Sequence, residues 1–520
     1  MKQLIIILTF WGLIASAYGQ DTYRIYLKDK GDATLRFDPY TFFDPKAIER
    51  RECEGIALTA TDDLPIADTY LRQIESCAEQ IIGKSRWFNL VVVRISEHRL
   101  EELAHLPFVE RIEKNPSTTM QLCMKSNESV HPDKARFAEY QFRRLQGGLF
   151  HEKNLTGKGV RVAVLDVGFE GTENAPELAH LFSRKQILDQ KDFVTKRTFE
   201  WKGGWHGTAV LSCIAGKYQE QYLGLAPDAE FLLARTEYEK REPFVEEIFW
   251  TEAAEWADQK GAHIINSSLG YGDTRYTYKD MDGKTSLVAR SANKAASKGI
   301  LVIVAQGNEG SDAWQFLGTP ADADSVLSIG GTNPFTDHKI DFSSWGPTYD
   351  HRLKPNISAP GVTTVRTDNN VSVQNGTSFA TPLVSGFAAC VKQLRPQATE
   401  RQLFTEMQKS GHLHPYFDYA HGYGIPQASY FLNPVQRKPT FQFDVQGEQI
   451  LVRLNAKPNP DETKNLYYAI ENDKGILEQF SVLQAESEIV LVLEKYVLVN
   501  SNYKLRVHYE GYTQTYSRQD

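Results

Sequence analysis

Four short segments of this 520-residue sequence place a chemically active side chain at a predicted strand end or helix start. VRVAVLDVG contains Asp166, WHGTAVLSCIAG contains His206, LVIVAQGNEG contains Asn308 and NGTSFATPLVSG contains Ser378. Each alone has an ordinary explanation, such as a turn residue, a packing histidine or a helix cap. Together they supply the nucleophile, base, orienting carboxylate and oxyanion donor that peptide hydrolysis needs at neutral pH.

These residues lie in a region, from about 138 to 435, where β-rich runs alternate with helical ones. Examples in chain order are VRVAVLD, HGTAVLSCIAG, AEFLLAR, EEIFWTEAAEWADQKG, HIINSSLG and ILVIVAQG. The alternation predicts βαβ units, and therefore an α/β domain with a mostly parallel sheet between two helical layers. Such sheets gather functional side chains beyond the carboxyl ends of their strands.

The ordered segments resemble the subtilisin-like serine proteases (subtilases, peptidase family S8). The order Asp, His, Ser along the chain is that of subtilisin. INSSLG is similar to the family's substrate-binding strand, and AQGNEG is similar to its oxyanion-hole turn. FSSWGP, LKPNISAPG and GYGIPQA resemble further family segments that carry no catalytic side chain. The resemblance implies a three-layer subtilisin-like fold over residues 138–435.

The resemblance also implies roles. Ser378 would attack the scissile carbonyl, His206 would act as base and then as acid, and Asp166 would orient His206. The side chain of Asn308 and the backbone N–H of Ser378 would bind the oxyanion. Family members commonly carry Ser or Thr after the catalytic Asp, whereas this sequence has Val167, so a hydroxyl that could help position the carboxylate is missing.

The implied substrate-binding residues are Ser268, Leu269, Gly270, Gly307, Glu309 and Gly318. The first three would form an edge against which a peptide strand pairs. The others would line the pocket for the residue before the scissile bond. Gly318 is expected to leave that pocket wide enough for a large apolar or aromatic side chain, and Glu309 at its mouth could admit a basic one.

The two ends of the chain differ from this central region. Residues 1–19 have the basic, apolar and small-residue parts of a signal peptide, which predicts a secreted protein (extracellular, cell-surface or periplasmic) without a transmembrane anchor after cleavage. An uncleaved signal anchor is the alternative. Residues 20–116 mix strands and helices. Asp44-Pro45 predicts the start of a helix that stops at Gly55, YLRQIESCAEQI predicts a second helix, and RWFNLVVVRI (Arg86–Ile95) predicts a strand. Residues 117–137 look like a linker, and 436–520 form a small all-β domain with the predicted strands FQFDV, ILVRLNA, LYYAIE, EIVLVLE, YVLV and YKLRVHY. The role of this β domain stays open among substrate or surface binding, secretion sorting and stabilisation.

The α+β pattern of 20–116 fits the pro-domain that many subtilases carry, and it resembles that of exported members from Bacteroidetes. The resemblance implies that this pro-domain assists folding and acts as an intramolecular inhibitor until it is cleaved. We expect self-cleavage within about 116–140.

Composition limits the possible partners. The 58 basic and 66 acidic residues give a net charge of −8, which argues against nucleic acid as a partner. The five cysteines include no CxxC pair, so no zinc ribbon is expected, and a Cys53–Cys77 bridge stays open. We expect no required cofactor and no assigned metal site. Structural calcium is possible, although the Asp280–Gly283 turn lacks EF-hand spacing.

The sequence therefore predicts a secreted serine endopeptidase, made as a zymogen, that acts on protein or peptide substrates. One alternative is a catalytically inert, subtilisin-shaped binding protein, which would need a missing triad residue. Another is a processing protease of narrow specificity, which the sequence does not separate from a broad one.

Overall fold

The computed structural model describes residues 21–35, 37–116, 133–434, 437–446, 449–456, 464–485, 488–492 and 502–517. The predicted signal peptide, most of the predicted linker, Cys123 and the predicted strand YVLV lie outside these ranges. We refer to 21–116 as the N-terminal domain, 133–434 as the central domain and 437–517 as the C-terminal domain.

The N-terminal domain is a four-stranded antiparallel sheet, in the order β2-β3-β1-β4, with short helices. The predicted helix after Asp44 is confirmed, because the Asp44 side chain accepts a hydrogen bond from the N–H of Lys46 and Gly55 ends the helix with φ 68°. The elements are β1 (Thr22–Leu27), α1 (Pro39–Phe42), α2 (Pro45–Glu54), α3 (Asp68–Cys77), β2 (Gln80–Ser85), β3 (Leu90–Arg94), α4 (Leu100–Ala104) and β4 (Val109–Lys114).

One strand of this domain differs from the sequence-based expectation. The predicted helix YLRQIESCAEQI ends at Cys77, and the predicted strand from Arg86 to Ile95 begins only at Leu90, because residues 86–89 form a turn. The chain instead forms the hairpin β2–β3, since β2 pairs with β3 and also packs against the central domain. Tertiary contacts therefore override the local helical pattern here.

The central domain has the alternation that the sequence predicts. Its helices are α5 (Lys134–Arg144), α6 (Gly147–His151), α7 (Ala179–Ser183), α8 (His206–Ala215), α9 (Glu246–Gln259), α10 (Leu287–Ser297), α11 (Thr377–Leu394), α12 (Glu400–Lys409) and α13 (Ala428–Leu432). Its strands are β5 (Arg161–Asp166), β6 (Ile187–Asp192), β7 (Lys217–Tyr218), β8 (Gln221–Tyr222), β9 (Glu230–Arg235), β10 (Ile264–Ser267), β11 (Leu301–Ala305), β12 (Leu327–Thr332), β13 (Ile357–Pro360), β14 (Val362–Arg366) and β15 (Val371–Asn375).

Seven of these strands form a parallel sheet in the order β13-β12-β11-β10-β5-β9-β6. Alternate strand residues enter two separate cores. Val162 and Val164 of β5 pack with α8 and α11, whereas Ala163 and Leu165 pack with α9 and α10. The predicted three-layer α/β fold is confirmed, with both faces of the sheet covered by helices.

The N-terminal domain packs on the helical layer formed by α9 and α10. Ile82, Trp87 and Val92 belong to the same buried cluster as Ile248 of α9. A Cβ atom on Gly83 would lie 2.8 Å from Cγ1 of Ile248, so the glycine allows the hairpin to approach the helix closely. The two domains thus share a continuous core on this face of the sheet.

The C-terminal domain is a sandwich of two antiparallel sheets, β16-β17-β20 and β19-β18-β21-β22, which share one core. It rests on an aromatic surface of the central domain, where the Tyr416 hydroxyl donates to the carbonyl of Tyr468 (3.2 Å). The small β domain was predicted, but β19 and β22 were not. The strands are β16 (Phe441–Gln446), β17 (Gln449–Leu454), β18 (Asn465–Glu471), β19 (Leu477–Gln484), β20 (Glu488–Val492), β21 (Lys504–Tyr509) and β22 (Tyr512–Ser517).

Within the described residues, Cys53, Cys77, Cys213 and Cys390 are free thiols, so Cys53 and Cys77 form no bridge. In the same ranges, no helix has both the length and the apolar character that a membrane crossing requires.

Candidate active site

The fold brings the predicted site residues to the carboxyl edge of the parallel sheet. Asp166 is the last residue of β5, and His206 is the first residue of α8. Ser378 is the second residue of α11, and Asn308 follows β11 in a turn. Because parallel strands end at one edge, residues far apart in sequence become neighbours there.

Asp166 and His206, two of the predicted site residues, are hydrogen-bonded to each other. Nδ1 of His206 lies 2.8 Å from Oδ1 of Asp166, which also accepts the N–H of Val167 (2.8 Å). Asp166 is 0% exposed, and its Oδ2 is buried without a hydrogen-bond partner among the described residues. Burial lowers the pKa of His206, but the charge and hydrogen bond of Asp166 outweigh it, so the net pKa is raised.

Ser378 is held by a reciprocal contact with the end of β10. Its Oγ donates to the carbonyl of Ser268 (3.2 Å), and the Ser268 hydroxyl donates to the carbonyl of Ser378 (2.8 Å). Pro382 explains why that carbonyl is available, since a proline has no N–H to close the helical bond four residues back. Among the described residues, no hydrogen bond joins Ser378 to His206, a contact that often tightens only with substrate.

The side chain of Asn308 has a fixed orientation. Its Oδ1 accepts the N–H and the hydroxyl of Thr377, both at 2.9 Å. Because this oxygen takes both hydrogen bonds, the Nδ2 amide is left as a donor beside the start of α11. Thr377 was not identified from the sequence, although its position in the GTS motif next to Ser378 was a usable signal.

Glu309 braces the same turn. Its Oε2 accepts the N–H of Asn308 (2.7 Å) and the hydroxyl of Ser344 (2.9 Å), and burial raises its pKa. Gly307 has φ 119°, and a Cβ there would lie 2.5 Å from Oε2 of Glu309. Ser344 lies in the FSSWGP segment, which was noted as family-like but was assigned no role.

The three residues of the predicted peptide-binding edge differ in exposure. Ser268 is buried, Leu269 is half-buried, and Gly270 is exposed with open space at its Cβ position apart from one contact at 3.8 Å. Gly318 lies close to a neighbouring backbone segment, and the wide pocket expected from it stays a prediction. A Cβ there would lie 2.8 Å from the carbonyl oxygen of Tyr271, so the missing side chain accommodates a neighbouring backbone segment.

The carboxylates of the Asp280–Gly283 turn are already used locally. Asp282 accepts the N–H groups of Lys284 and Thr285, both at 2.8 Å, and Asp280 accepts the hydroxyl of Thr277 (2.8 Å). In the described ranges, no group of three or more His, Cys, Asp or Glu side chains is arranged to hold a metal ion. The carboxylates of this turn are thus hydrogen-bonded within the turn itself, and structural calcium stays an expectation without an assigned site.

Comparisons with known proteins follow the same division of the chain. The model of the subtilase family matches residues 157–424, just over half of the chain. The model of the peptidase S8 propeptide domain of Bacteroidota matches residues 22–132, which include part of the predicted linker. The resemblance to Bacteroidetes members is thereby confirmed.

Similar proteins include M-protease of Shouchella clausii (strain KSM-K16), 27% identical over 356 residues, which are 68% of this chain and 81% of the relative. Subtilisin Savinase of Lederbergia lenta is 30% identical over 279 residues, 53% of this chain and 92% of the relative. Among solved structures, a cold adapted subtilisin-like serine proteinase is 24% identical, with TM-score 0.40, and covers 51% of this chain and 87% of its own. MycP1 from Mycobacterium smegmatis is 23% identical, with TM-score 0.46, and the match covers 62% of this chain and 91% of the MycP1 chain.

Proposed function

The chain belongs to the subtilase family of serine proteases and carries a propeptide domain, and we propose that it is a secreted endopeptidase made as a zymogen. It hydrolyses peptide bonds through Asp166, His206 and Ser378 and an acyl-enzyme intermediate. The observation that carries this proposal is the hydrogen bond between buried Asp166 and His206 at the sheet edge that also holds Ser378.

In the first step, the Ser378 hydroxyl turns from the carbonyl of Ser268 to His206. Its oxygen bonds to the scissile carbonyl carbon, and its proton passes to Nε2 of His206. The carbonyl oxygen becomes an oxyanion, which accepts hydrogen bonds from Nδ2 of Asn308 and the N–H of Ser378. A side-chain donor of this kind contributes about 2.7–4 kcal/mol to lowering the barrier.

In the second step, the scissile C–N bond breaks and His206 returns the proton to the leaving amine. The acyl group stays on Ser378. Water then adds to the acyl carbon while His206 takes its proton. The bond between that carbon and Oγ of Ser378 breaks, His206 returns the proton to Oγ, and the new carboxyl product is released. Asp166 stabilises the imidazolium in both halves, which agrees with the raised pKa of His206. All of these steps use protein groups and water and call for no cofactor.

The substrate is a polypeptide segment that pairs with the Leu269–Gly270 edge as an added strand. The N-terminal domain inhibits the enzyme in cis until it is cleaved. Export follows from the predicted signal peptide, and the mature enzyme works outside the cytoplasm.

The test is to incubate the matured protein with a diverse peptide mixture and map cleavage sites by mass spectrometry. We expect cleavage, and labelling of Ser378 by a fluorophosphonate probe, both lost in Ser378→Ala. Absence of cleavage together with absence of labelling would favour the inert binding protein. Cleavage confined to one sequence would favour the narrow processing protease.

A further inference from the structure

Asp258 lies on α9, one residue before its last residue, Gln259, and faces the N-terminal domain. Its carboxylate is 0% exposed and forms ion pairs with three guanidinium groups, those of Arg50, Arg51 and Arg86. Arg51 donates to Oδ1 (3.1 Å) and Oδ2 (2.8 Å), Arg86 donates to Oδ2 (2.6 Å), and Arg50 donates to Oδ1. Among the described residues, these arginines, all of the N-terminal domain, are the hydrogen-bond partners of the Asp258 side chain.

The position of Asp258 is electrostatically unfavourable in the central domain alone. The C-terminal end of a helix carries partial negative charge, so a carboxylate in the last turn is unfavourable there. The positive charges of the three guanidinium groups outweigh this unfavourable interaction with the helix end. Although burial acts to raise the pKa of Asp258, the charges of Arg50, Arg86 and Arg51 hold it below the ordinary value. Over the described ranges, the charge of Asp258 in the central domain is therefore satisfied by side chains of the N-terminal domain.

A second set of ion pairs beside Asp258 has the opposite polarity. Here the N-terminal domain supplies the acids, and α10 and its end supply the bases. Nζ of Lys298 donates to Asp62 (2.8 Å) and Asp63 (3.1 Å), and Lys294 pairs with Asp62. Asp63 also forms a two-bond fork with Arg51 (2.7 and 2.9 Å), so the two sets are joined in one network that is buried at Arg51, Asp63 and Lys298 and partly exposed at Asp62 and Lys294.

Buried charge networks of this kind discriminate strongly between partners. A domain with the right shape but without the arginines would leave Asp258 buried and unpaired, at a large desolvation cost. When the domains separate, each charged group regains water. The charged contact therefore adds selectivity for the correct partner to the apolar contact that Ile82, Trp87 and Val92 make with α9.

We propose that Asp258 is the recognition site of the mature enzyme for a cluster of arginines, that its occupant is the N-terminal domain of this same chain, and that this contact decides which propeptide inhibits the enzyme. The inference rests on the proposed function, because it assumes a processed propeptide that stays bound. Asp258 lies in the α9–α10 layer, whereas Ser378 begins α11 on the opposite face of the sheet. Recognition is thus separate from the peptide-bond chemistry.

The test uses the full chain, processed by its own activity, with Arg86→Gln in the N-terminal domain. The mature enzyme then has the wild-type sequence, so any difference arises from the released fragment. Activity toward a fluorogenic peptide is followed as the processed complex is diluted. We expect the apparent dissociation constant of the fragment to rise by about 30-fold or more, as for loss of one partner from a buried charge pair.

The matched control is Arg72→Gln, which makes the same change at an exposed arginine on α3 of the same domain. It should leave the dissociation constant within about twofold of wild type. Asp258→Asn, combined with Arg86→Gln, completes a double-mutant cycle. If the two groups interact directly, the double variant weakens binding by much less than the product of the single effects. Additive effects, or an unchanged constant in Arg86→Gln, would overturn the proposal.

A second measurement does not depend on processing. In a Ser378→Ala background, hydrogen–deuterium exchange of residues 80–94 reports whether the hairpin stays docked. Asp258→Asn should speed this exchange, and Asp189→Asn, at a half-exposed ion pair with Lys260, should not. If the chain is never processed and never labelled at Ser378, the proposed function fails. If it is processed and labelled but the hairpin stays protected in Asp258→Asn, only the recognition role fails.

Discussion

Asp166 and Asp258 are both fully buried aspartates of the central domain, yet their surroundings are opposite in kind. Asp166 has one ionisable partner, His206, and its Oδ2 has no donor among the described residues. Asp258 has three guanidinium partners, which use both of its oxygens. The first lies at the carboxyl edge of the sheet and the second in a helical layer that faces the propeptide.

The different surroundings of Asp166 and Asp258 have different electrostatic consequences. A carboxylate with few donors keeps most of its charge available to His206, and the pKa of that imidazole is raised as a result. A carboxylate surrounded by guanidinium groups is neutralised locally and has its own pKa lowered. A carboxylate with few hydrogen-bond donors can stabilise a proton on a neighbouring imidazole, which catalysis requires. A carboxylate whose oxygens are all bonded to guanidinium groups depends on those partners, which recognition requires.

Asp166→Asn is expected to have the largest effect, which is a loss of catalytic rate. The amide cannot hold His206 in the tautomer that accepts the serine proton, so kcat should fall by about 10⁴-fold. Peptide hydrolysis by enzyme titrated with a fluorophosphonate measures this. Asp189→Asn provides the control at a half-exposed aspartate and should keep wild-type kcat. A loss of less than about tenfold in Asp166→Asn would remove Asp166 from the proposed triad.

Arg51→Ala, made in the Ser378→Ala background, is expected to have the next largest effect, which is a loss of stability. Arg51 is fully buried between Asp63 and Asp258, so its removal leaves both carboxylates short of a partner. We expect the free energy of unfolding of the N-terminal domain to fall by about 3–5 kcal/mol, measured by urea denaturation. Arg72→Ala on exposed α3 should change it by less than about 0.5 kcal/mol. Equal effects of the two changes would contradict the contrast drawn here.

The third effect is on the pH dependence of kcat/KM. His206 must be neutral to accept a proton, and its pKa is raised above the ordinary 6.5, so activity should rise with pH to a midpoint above 6.5. In Asp166→Asn the raising charge is gone and burial remains, so the residual activity should have its midpoint below 6.5. A midpoint that does not move would mean that Asp166 does not set this pKa.

The smallest effect is expected from Val167→Thr, which adds a hydroxyl next to the catalytic carboxylate. A donor to Oδ2 of Asp166 would stabilise its charge and weaken its pull on the His206 proton. The midpoint of the kcat/KM profile should fall by a few tenths of a pH unit. Val167→Ala, which removes side-chain atoms without adding a donor, should leave the midpoint unchanged, and a shift of equal size in both variants would disprove the explanation.

Much of the site is readable from sequence because its signals are local. The strand that ends in Asp166, the helix that begins at His206 and the GTS segment before Ser378 each occupy only a few residues. The placement rule for parallel sheets then brings such ends together without further information. The hairpin β2–β3 was missed for the converse reason, since its pairing and its contact with Ile248 outweigh a local helical pattern.

The amino-acid sequence by itself therefore determined the family, the three-layer α/β fold and the candidate catalytic residues, because periodicity and short motifs encode them within single segments. Only the tertiary structure decided that Asp166 keeps an oxygen without a donor in the part of the chain that the structure describes, that Thr377 orients Asn308, and that Asp258 meets three arginines. Arg86 and Asp258 are 172 residues apart, and no local pattern marks either of them. Their pairing is set by how two domains pack, where burial makes each charge depend on the other.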